Sequence, residues 1–431
     1  MSVMKCTAAG DVMMFRRLPG AYEGFRELQS FILQGDFRFF NLETTVHRFE
    51  TFGNALSGGS WFCCEPEILD DLRTMGFNIL TTANNHALDY GYAGLEKTLQ
   101  YVREAGFLAA GTGMTLADAS APVYLDTLQG RFALIAGSSS MTPDCMAGEQ
   151  TRTMQGRPGL NGIRVNTTYQ LPREDMETLR RIAADIGING AADISRAEGY
   201  LPPLPAGKML FGKGLTFEES DKAGKTTHVN PADLQRTVRA IEEAKFFADY
   251  VIVSMHSHDI KHISKEEPAQ FFEEFCHACI DAGADAVIGT GPHLIRPIEI
   301  YKGKPIFYCL GDFVLENETM LKVPADMFEK QGMTGNENMK DMYEKRSDHG
   351  KRGLYYSQVM FEAFVPYWEA EDGELKKLTL MPVELQYGRK RSMGGLPRPK
   401  FDAGILERLQ KMSEPYGTKI EIENGFGVVK L

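Results

Sequence analysis

The sequence lacks the features that mark several common classes of protein. No run of about 18 apolar residues occurs in it, so no membrane-spanning helix is predicted. Positive charge is in the minority, with 47 lysines and arginines against 58 acidic residues and a net charge of −11. This balance argues against a general nucleic-acid binder with a broad basic face, and we expect no nucleic-acid partner.

An apolar leader segment is also missing from the first residues. Lys5 and Asp11 interrupt the stretch from Met1 to Phe15, which therefore has no signal-peptide core. We expect a cytoplasmic protein, with membrane contact only through a peripheral association.

The cysteines do not have the arrangement of a disulfide framework. There are seven, an odd number, and most of them lie in apolar segments. Cys63 and Cys64 are adjacent, and Cys276 and Cys279 share one helical pattern. These positions predict buried, reduced thiols.

Two kinds of functional loop are absent as well. No glycine-rich loop ends in Gly-Lys-Ser or Gly-Lys-Thr, and no GxGxxG opens a helix after a strand. The segment Gly137–Ser140 lacks the Gly-x-Ser-x-Gly pattern of a nucleophile elbow. The usual nucleotide-binding loops and a serine hydrolase are therefore not supported.

What the sequence does contain is a regular alternation of strand and helix patterns, which is typical of an α/β fold. The alternation breaks at about residues 141–231, which are rich in Gly, Pro and Lys and are interpreted as an insertion. It breaks again at about 316–352, a polar stretch that predicts a surface loop. We expect one domain over residues 1–364 that includes both segments.

The C-terminal part is predicted to be β structure. Alternating apolar residues predict long strands over Leu354–Val365 and Leu375–Leu385, and the tail Glu421–Leu431 predicts a final strand. We expect residues 365–431 to form an extension packed on the same domain.

Metal-competent side chains follow four of the apolar strand patterns. Because ligand sites in open α/β sheets form beyond the carboxyl ends of the strands, these side chains are expected to converge. Taken alone, Asp11 has an alternative as a turn or cap residue, and Glu43 as part of a strand that leaves the core. The residues concerned are Asp11, Asn41, Glu43, Asn84, Asn85, His86, Asp89, His256, His258 and His293.

The chemistry of this set favours a divalent metal. It combines carboxylates, amides and imidazoles without a thiolate, which suits Mn, Fe or Zn, and two ions bridged by a carboxylate fit it. The segment from Asn84 to Asp89 is the most specific, because an imidazole can protonate a leaving group while a carboxylate orients that imidazole.

These segments together resemble the CapA family, which is linked to poly-γ-glutamate capsule synthesis and whose fold is similar to that of metallophosphoesterases. The long stretch from Gly289 to Phe313 carries most of the resemblance. The matching pieces are Gly10–Met13, Asn41–Glu43, Asn84–His86 with Asp89–Gly91, and Gly289–Phe313.

The resemblance implies a four-layer α/β/β/α sandwich and one or two divalent ions. It implies that Glu43 is the bridging carboxylate and that His86 acts as general acid. The other metal ligands that it implies are Asp11, Asn85, His256 and His293.

Three departures from the family patterns bear on the metal site. Met13 stands where the metallophosphoesterase pattern has His, Thr290 stands where the family loop usually has His, and Cys309 to Asp312 replace the commoner Ser-Leu-Gly-Asn. Either His258 or Asp312 is expected to compensate for Thr290.

Two classes of function remain open from the sequence. The first is a metal-dependent hydrolase acting on a phosphoester or a γ-glutamyl amide, with Arg16 and Arg296 holding an anionic substrate. The second is a non-catalytic accessory protein that binds poly-γ-glutamate or a membrane-associated synthase partner through a degenerate site. Without a membrane anchor, either a partner recruits the protein or its substrate is cytoplasmic.

Overall fold

Two large β-sheets organise the computed structural model, which describes residues 3–20 and 22–431. Residues 1, 2 and 21 belong to the predicted domain 1–364 and lie outside the described residues. The first sheet has ten strands. In spatial order its main strands are Lys419–Glu423, Phe426–Lys430, Glu374–Glu384, Glu362–Glu371, Val3–Met13, Phe37–Leu42, Ile79–Thr81 and Leu108–Ala110, with Asp312–Leu315 beside Val3–Met13 and Arg398–Pro399 beside Glu374–Glu384.

The second sheet has six strands, and its four inner strands run parallel. Tyr250–His256 lies in the middle, paired with Arg131–Ser138 on one side and Ala286–Thr290 on the other. In spatial order the strands are Ile298–Tyr301, Lys304–Phe307, Ala286–Thr290, Tyr250–His256, Arg131–Ser138 and Val123–Asp126.

Each of the two sheets has two apolar faces. One face of each sheet packs against the other sheet, and the second face packs against helices. Successive side chains of a strand point to opposite sides. Phe37 and Phe39 therefore lie in the core between the sheets, while Phe40 packs on the helical side of the first sheet. In the second sheet Ile252 faces the shared core and Val253 faces the opposite side.

Helices cover the two outer faces. Phe25–Ile32 and Ile68–Met75 bury their apolar stripes on the first sheet, and Pro231–Phe247 and Gln270–Asp281 bury theirs on the second. The predicted α/β/β/α sandwich is thereby confirmed. The other α-helices are Gly91–Glu104, Leu116–Ser120, Arg173–Asp185, Gly190–Ala197, Ala325–Glu329, Met339–Ser347 and Gly404–Ser413.

The segment interpreted as an insertion has a small sheet of its own. Two helices accompany this sheet, Arg173–Asp185 and Gly190–Ala197. A small cluster around Met176 and Met209 packs between helix and sheet. The strands are Val165–Leu171, Lys208–Phe211, Leu215–Glu219 and Gly224–Val229. Two short pairs lie elsewhere, Thr45–Val46 with Cys63–Cys64 and Thr112–Gly113 with Gly159–Leu160.

The C-terminal strands differ in part from the prediction. Residues 353–361 form two 3-10 turns, and the strand begins only at Glu362. The expected strand over Leu354–Val365 was wrong in its first half because the neighbours Leu354 and Tyr355 pack on the same core, which an extended strand does not allow. The predicted boundary between residues 364 and 365 falls inside the strand Glu362–Glu371 and remains a prediction.

The tail is a hairpin where a single strand was expected. Lys419–Glu423 pairs with Phe426–Lys430 across Asn424 and Gly425, which both have positive φ. An Asn-Gly pair with this geometry makes a two-residue hairpin turn. Among the described residues, no helix is both long enough and apolar enough to cross a bilayer.

Gly10 lies so close to the backbone of Gly311 that no side chain fits at this position. A Cβ at Gly10 would lie 1.7 Å from the carbonyl oxygen of Gly311, so Gly10→Ala forces the central strand away from the strand that begins at Asp312. We expect a loss of about 3 kcal/mol or more in the free energy of unfolding, measured by urea denaturation.

The matched control is Gly190→Ala. A Cβ at Gly190 meets no atom within 4 Å, so this change is expected to be neutral or slightly stabilising. Equal stability of the two variants would contradict the predicted close approach of Gly10 and Gly311.

Candidate metal centre

The candidate centre lies where the parallel strands of both sheets end. In the first sheet Asp11 is paired with Asp312 on one side and with Asn41 on the other. In the second sheet His256 is the last strand residue and is paired with Thr290. The two strand ends bring carboxylates from one sheet against imidazoles from the other.

Asp11 is fully buried and has two hydrogen-bond donors. Its Oδ1 accepts a hydrogen bond from Asn41 Nδ2 at 2.5 Å, and its Oδ2 accepts one from the backbone N–H of Gly291 at 2.8 Å. Burial favours the neutral acid, but contact with the His256 ring and the charge of His293 oppose it. The pKa of Asp11 is therefore lowered below its ordinary value.

Glu43 is fully buried and has a very different environment. Neither of its carboxylate oxygens accepts a hydrogen bond from any described residue. Burial, followed by the charges of Asp11 and Asp312, raises its pKa well above the ordinary value. A buried carboxylate without donors is costly unless a cation lies against it, so this carboxylate fits a metal ligand.

Glu43 is shared by two groups of metal-competent atoms. One ligand atom from each residue of a group lies within 4.8 Å of the others. Three imidazoles lie at 3.8 to 3.9 Å from the Glu43 oxygens, those of His86, His256 and His293. The first group is Asp11, Glu43, His293 and Asp312, and the second is Glu43, His256 and His258.

Asn85 and His258 meet His256 at the edge of the second group. Asn85 Oδ1 lies 2.8 Å from His256 Nε2, and His258 Nε2 lies 3.1 Å from the same atom. Burial and the neighbouring imidazoles lower the pKa of His258 well below its ordinary value. His258 is therefore neutral, which is the form of the ring that binds metals.

Asp312 belongs to the first group. It is one of the two residues that were expected to compensate for a Thr instead of a His at position 290. Its Oδ1 lies 3.0 Å from His293 Nδ1, and its Oδ2 has no donor among the described residues. Burial raises its pKa to about 6, although the nearby His293 ring opposes the shift. The hydroxyl of Thr290 lies 3.0 Å from His256 Nδ1 and supports that ring from the side away from Glu43.

His86 and Asp89 form a buried pair beside Glu43. His86 Nδ1 lies 2.6 Å from Asp89 Oδ2, which leaves Nε2 of the ring 3.9 Å from Glu43 Oε1. Asp89 is held in turn by the backbone N–H groups of Gly58 and Phe62. The Phe62 ring stacks on the imidazole at 4.0 Å, so both its position and its orientation are determined.

The loop that carries His293 is strained. His293 has a φ of 59°, in the left-handed region that residues other than Gly rarely adopt. Gly291 before it has a φ of 122°, and a Cβ there would lie 2.9 Å from the backbone of Ser257. Strain of this kind often accompanies functional sites, and here it brings the imidazole to Asp312.

The two arginines expected to bind substrate are both engaged elsewhere. Arg16 donates from Nε to Glu316 Oε1 at 2.5 Å. Arg296 is fully buried and donates to the carbonyl oxygens of Lys265 and Asp259, each at 2.8 Å. This placement favours a structural role for Arg296 in the loop after His258.

Two amides predicted from the sequence support the ligand groups, whereas Asp259 and Lys265, which line an adjoining cavity, were missed at the level of sequence. Asn84 Nδ2 donates to Asn41 Oδ1 at 3.1 Å and to the carbonyl oxygen of Leu42 at 2.8 Å, so the two amides position each other. Asp259 and Lys265 line a cavity beside His258. Their sequence neighbourhood is that of an ordinary polar loop and carries no signal that separates them from surface residues.

Comparison with known proteins agrees with this geometry. Residues 5–317 match the family model described as bacterial capsule synthesis protein PGA_cap, and every residue of both groups lies in this span. The chain belongs to this family. The expected CapA resemblance is confirmed.

Three relatives show how far the similarity extends. An uncharacterized protein, y4sH, of Sinorhizobium fredii is 34% identical and aligns over 98% of this chain and 92% of its own length. The PGA biosynthesis protein CapA of Bacillus subtilis is 25% identical over 73% of this chain and 64% of its own. A probable polyglutamine synthesis accessory protein of Mycobacterium tuberculosis is 26% identical over 64% of this chain and 55% of its own.

The buried Glu43 carboxylate predicts a measurable response to metal. Added Mn²⁺ should raise the free energy of unfolding of the wild-type protein by about 2.7 kcal/mol at 100 times the dissociation constant, because only the folded state holds the site. Glu43→Gln should abolish this gain. The measurement is thermal unfolding with and without Mn²⁺ after treatment with a chelator.

We also expect Glu43→Gln to change how the free energy of unfolding depends on pH in protein treated with a chelator. The unfolded chain ionises Glu43 near pH 4.5 and the folded protein only at a higher pH, so the contribution of Glu43 to wild-type stability falls as the pH rises above 4.5. Glu43→Gln lacks this contribution. The control is Glu299→Gln, which lies outside both groups and should behave like the wild type in both tests. An unchanged Mn²⁺ response in Glu43→Gln would contradict the assignment of Glu43 as a metal ligand.

Proposed function

We propose that this protein is a metal-dependent hydrolase that cleaves a phosphoester or a γ-glutamyl amide. The observation that carries the proposal is the Glu43 carboxylate, which is buried, lacks a hydrogen-bond donor among the described residues and is shared by two groups of metal-competent side chains.

The residues that would hold metal fall into two sets around Glu43. Asp11, His293 and Asp312 form one, and His256 and His258 form the other, with the Asn85 oxygen beside it. The donors suit one or two ions of Mn, Fe or Zn. Such ions, when bound, polarise a phosphoryl or carbonyl oxygen and lower the pKa of water.

His86 is the residue that would move a proton to the leaving group. Asp89 accepts the hydrogen bond of Nδ1, so a proton given up by the doubly protonated ring would leave from Nε2, on the side of Glu43. Phe62 covers one face of the ring and excludes water from it. The pair His86–Asp89 is therefore arranged as an oriented general acid.

A second candidate function rests on Thr290. Its side chain offers a hydroxyl where the resembling family loop usually has an imidazole, and this hydroxyl contacts His256 Nδ1. In this alternative the site binds poly-γ-glutamate, or a synthase partner, without turnover. The two functions differ in metal content, because the accessory protein would need no stoichiometric metal.

The proposal also covers the cellular compartment in which the protein acts. All seven cysteines are free and buried, which is typical of proteins in a reducing compartment. We place the reaction in the cytoplasm, on an anionic small molecule or on poly-γ-glutamate that a membrane-associated synthase makes.

Elemental analysis joined to activity tests the proposal. Protein purified without chelator should carry about two equivalents of metal, as expected for a site of this dinuclear kind. His86→Ala should retain the metal and lose hydrolysis of phosphodiesters or γ-glutamyl anilides by roughly 10²–10⁴-fold, because it removes only the proton donor.

The control is His277→Ala, whose ring pairs with Glu299 outside the two ligand groups and should leave both readouts unchanged. Metal-free wild-type protein that binds polymer and hydrolyses nothing would replace the hydrolase with the accessory function. Full activity in His86→Ala would overturn its role as the acid.

A further inference from the structure

A cavity of about 480 Å³ adjoins the candidate metal centre at His258. Its wall comes from four parts of the chain, namely the residues that follow the strand Arg131–Ser138, the loop after His256, the insertion strand Gly224–Val229, and Pro292. The insertion therefore contributes directly to the surroundings of His258. Among the lining residues, Lys225, Asp259 and Lys265 carry a formal charge at neutral pH.

These three charged groups form no salt bridge with one another or with any other described side chain. Within the described residues, none of them has an opposite charge within 4.0 Å. Lys225 Nζ contacts only the carbonyl oxygen of Ile260, at 3.4 Å. Asp259 Oδ2 accepts hydrogen bonds from the hydroxyls of Ser139 and Ser257, which leaves Oδ1 free to accept another.

The lack of pairing is not a property of the whole loop. Lys261 belongs to the same loop and pairs with Glu273 at 3.2 Å, away from the cavity. Charged side chains in a folded protein gain little from remaining unpaired beside a cavity, whereas unpaired charges of both signs are complementary to a ligand that carries both.

The loop is held in a defined position by a buried cation. The guanidinium of Arg296 donates to the carbonyl oxygens of both Asp259 and Lys265, and its side chain is fully buried. One rigid group thus fixes the backbone at both residues. A prearranged site loses less free energy on binding, since its side chains need less ordering.

We propose that this cavity binds a zwitterionic α-amino acid group, with its carboxylate at Lys225 and Lys265 and its ammonium at Asp259. A chain linked through γ-carboxyl groups keeps both α-groups free at its amino end, whereas a simple phosphoester has no ammonium. The inference rests on the proposed function, in which the adjoining metal centre cleaves a phosphoester or a γ-glutamyl amide. Of these two substrates, it selects the γ-glutamyl amide.

The test is calorimetric binding of γ-glutamylglutamate to the His86→Ala protein, in which turnover is expected to be roughly 10²–10⁴-fold slower than in the wild type. We expect Lys265→Ala in this background to weaken binding about tenfold, since a hydrogen-bonded charge is lost. Lys261→Ala, in the same loop but facing Glu273, should bind like the parent. Both lysines lie on the surface, so both variants should fold.

The ammonium is tested with the Nα-acetyl derivative of the same dipeptide. Acetylation should weaken binding about tenfold in protein that has Asp259 and should have no effect in Asp259→Asn. Equal affinity for both ligands in the parent, or equal losses in Lys265→Ala and Lys261→Ala, would overturn the proposal.

Two further arms separate this inference from the proposed hydrolase. Dipeptide binding that persists in chelated protein, in a chain that hydrolyses nothing, would support the cavity and reject the hydrolase. The opposite result has two parts: the wild type hydrolyses phosphodiesters, and the His86→Ala protein binds inorganic phosphate but not the dipeptide. This result would support the hydrolase and overturn the ligand proposed for the cavity.

Discussion

Three buried carboxylates that lie close together are the constraint on which the rest of the site depends. Asp11, Glu43 and Asp312 lie together and are fully buried, so their like charges oppose each other's ionisation. Asp11 is stabilised by two donors, and Asp312 by His293. Glu43 has no such donor, so a cation is the group that would make this arrangement favourable.

The fold brings the groups that this constraint requires from two separate sheets. The carboxylates Asp11 and Asp312 come from the first sheet, and His256 comes from the second. Because the sheets pack through a shared apolar core, small changes at that core alter the separation of the two ligand sets. The close approach of Gly10 to Gly311 belongs to the same requirement, since it places Asp11 opposite Asp312.

Charge is distributed unevenly around the centre. The chain as a whole carries a net charge of −11, which disfavours an anionic substrate at long range. At the cavity beside His258 the local balance is reversed, because Lys225 and Lys265 outnumber Asp259. Screening by salt limits the long-range field to about 8–10 Å, so the groups in contact with a ligand decide what binds.

Most of the elements could be predicted because their apolar periodicity is strong. The long strand expected over Leu375–Leu385 is present at Glu374–Glu384, within one residue at each end. The turns at residues 353–361 were not predicted, since an apolar run of that length fits a strand as well as two tight turns. Only the packing of Leu354 and Tyr355 on one core decides between them.

The sequence by itself determined the α/β class and the kind of chemistry, because strand-end polar residues such as Asp11, Asn85 and His256 stand out from apolar surroundings. Tertiary structure alone decided which of them meet. It brought Asp312 to His293, turned Arg296 towards backbone carbonyl groups, and carried Lys225 from the insertion to the edge of the site. The physical reason is that local periodicity specifies which face of an element is buried, whereas distances between residues far apart in the chain depend on how the two sheets pack.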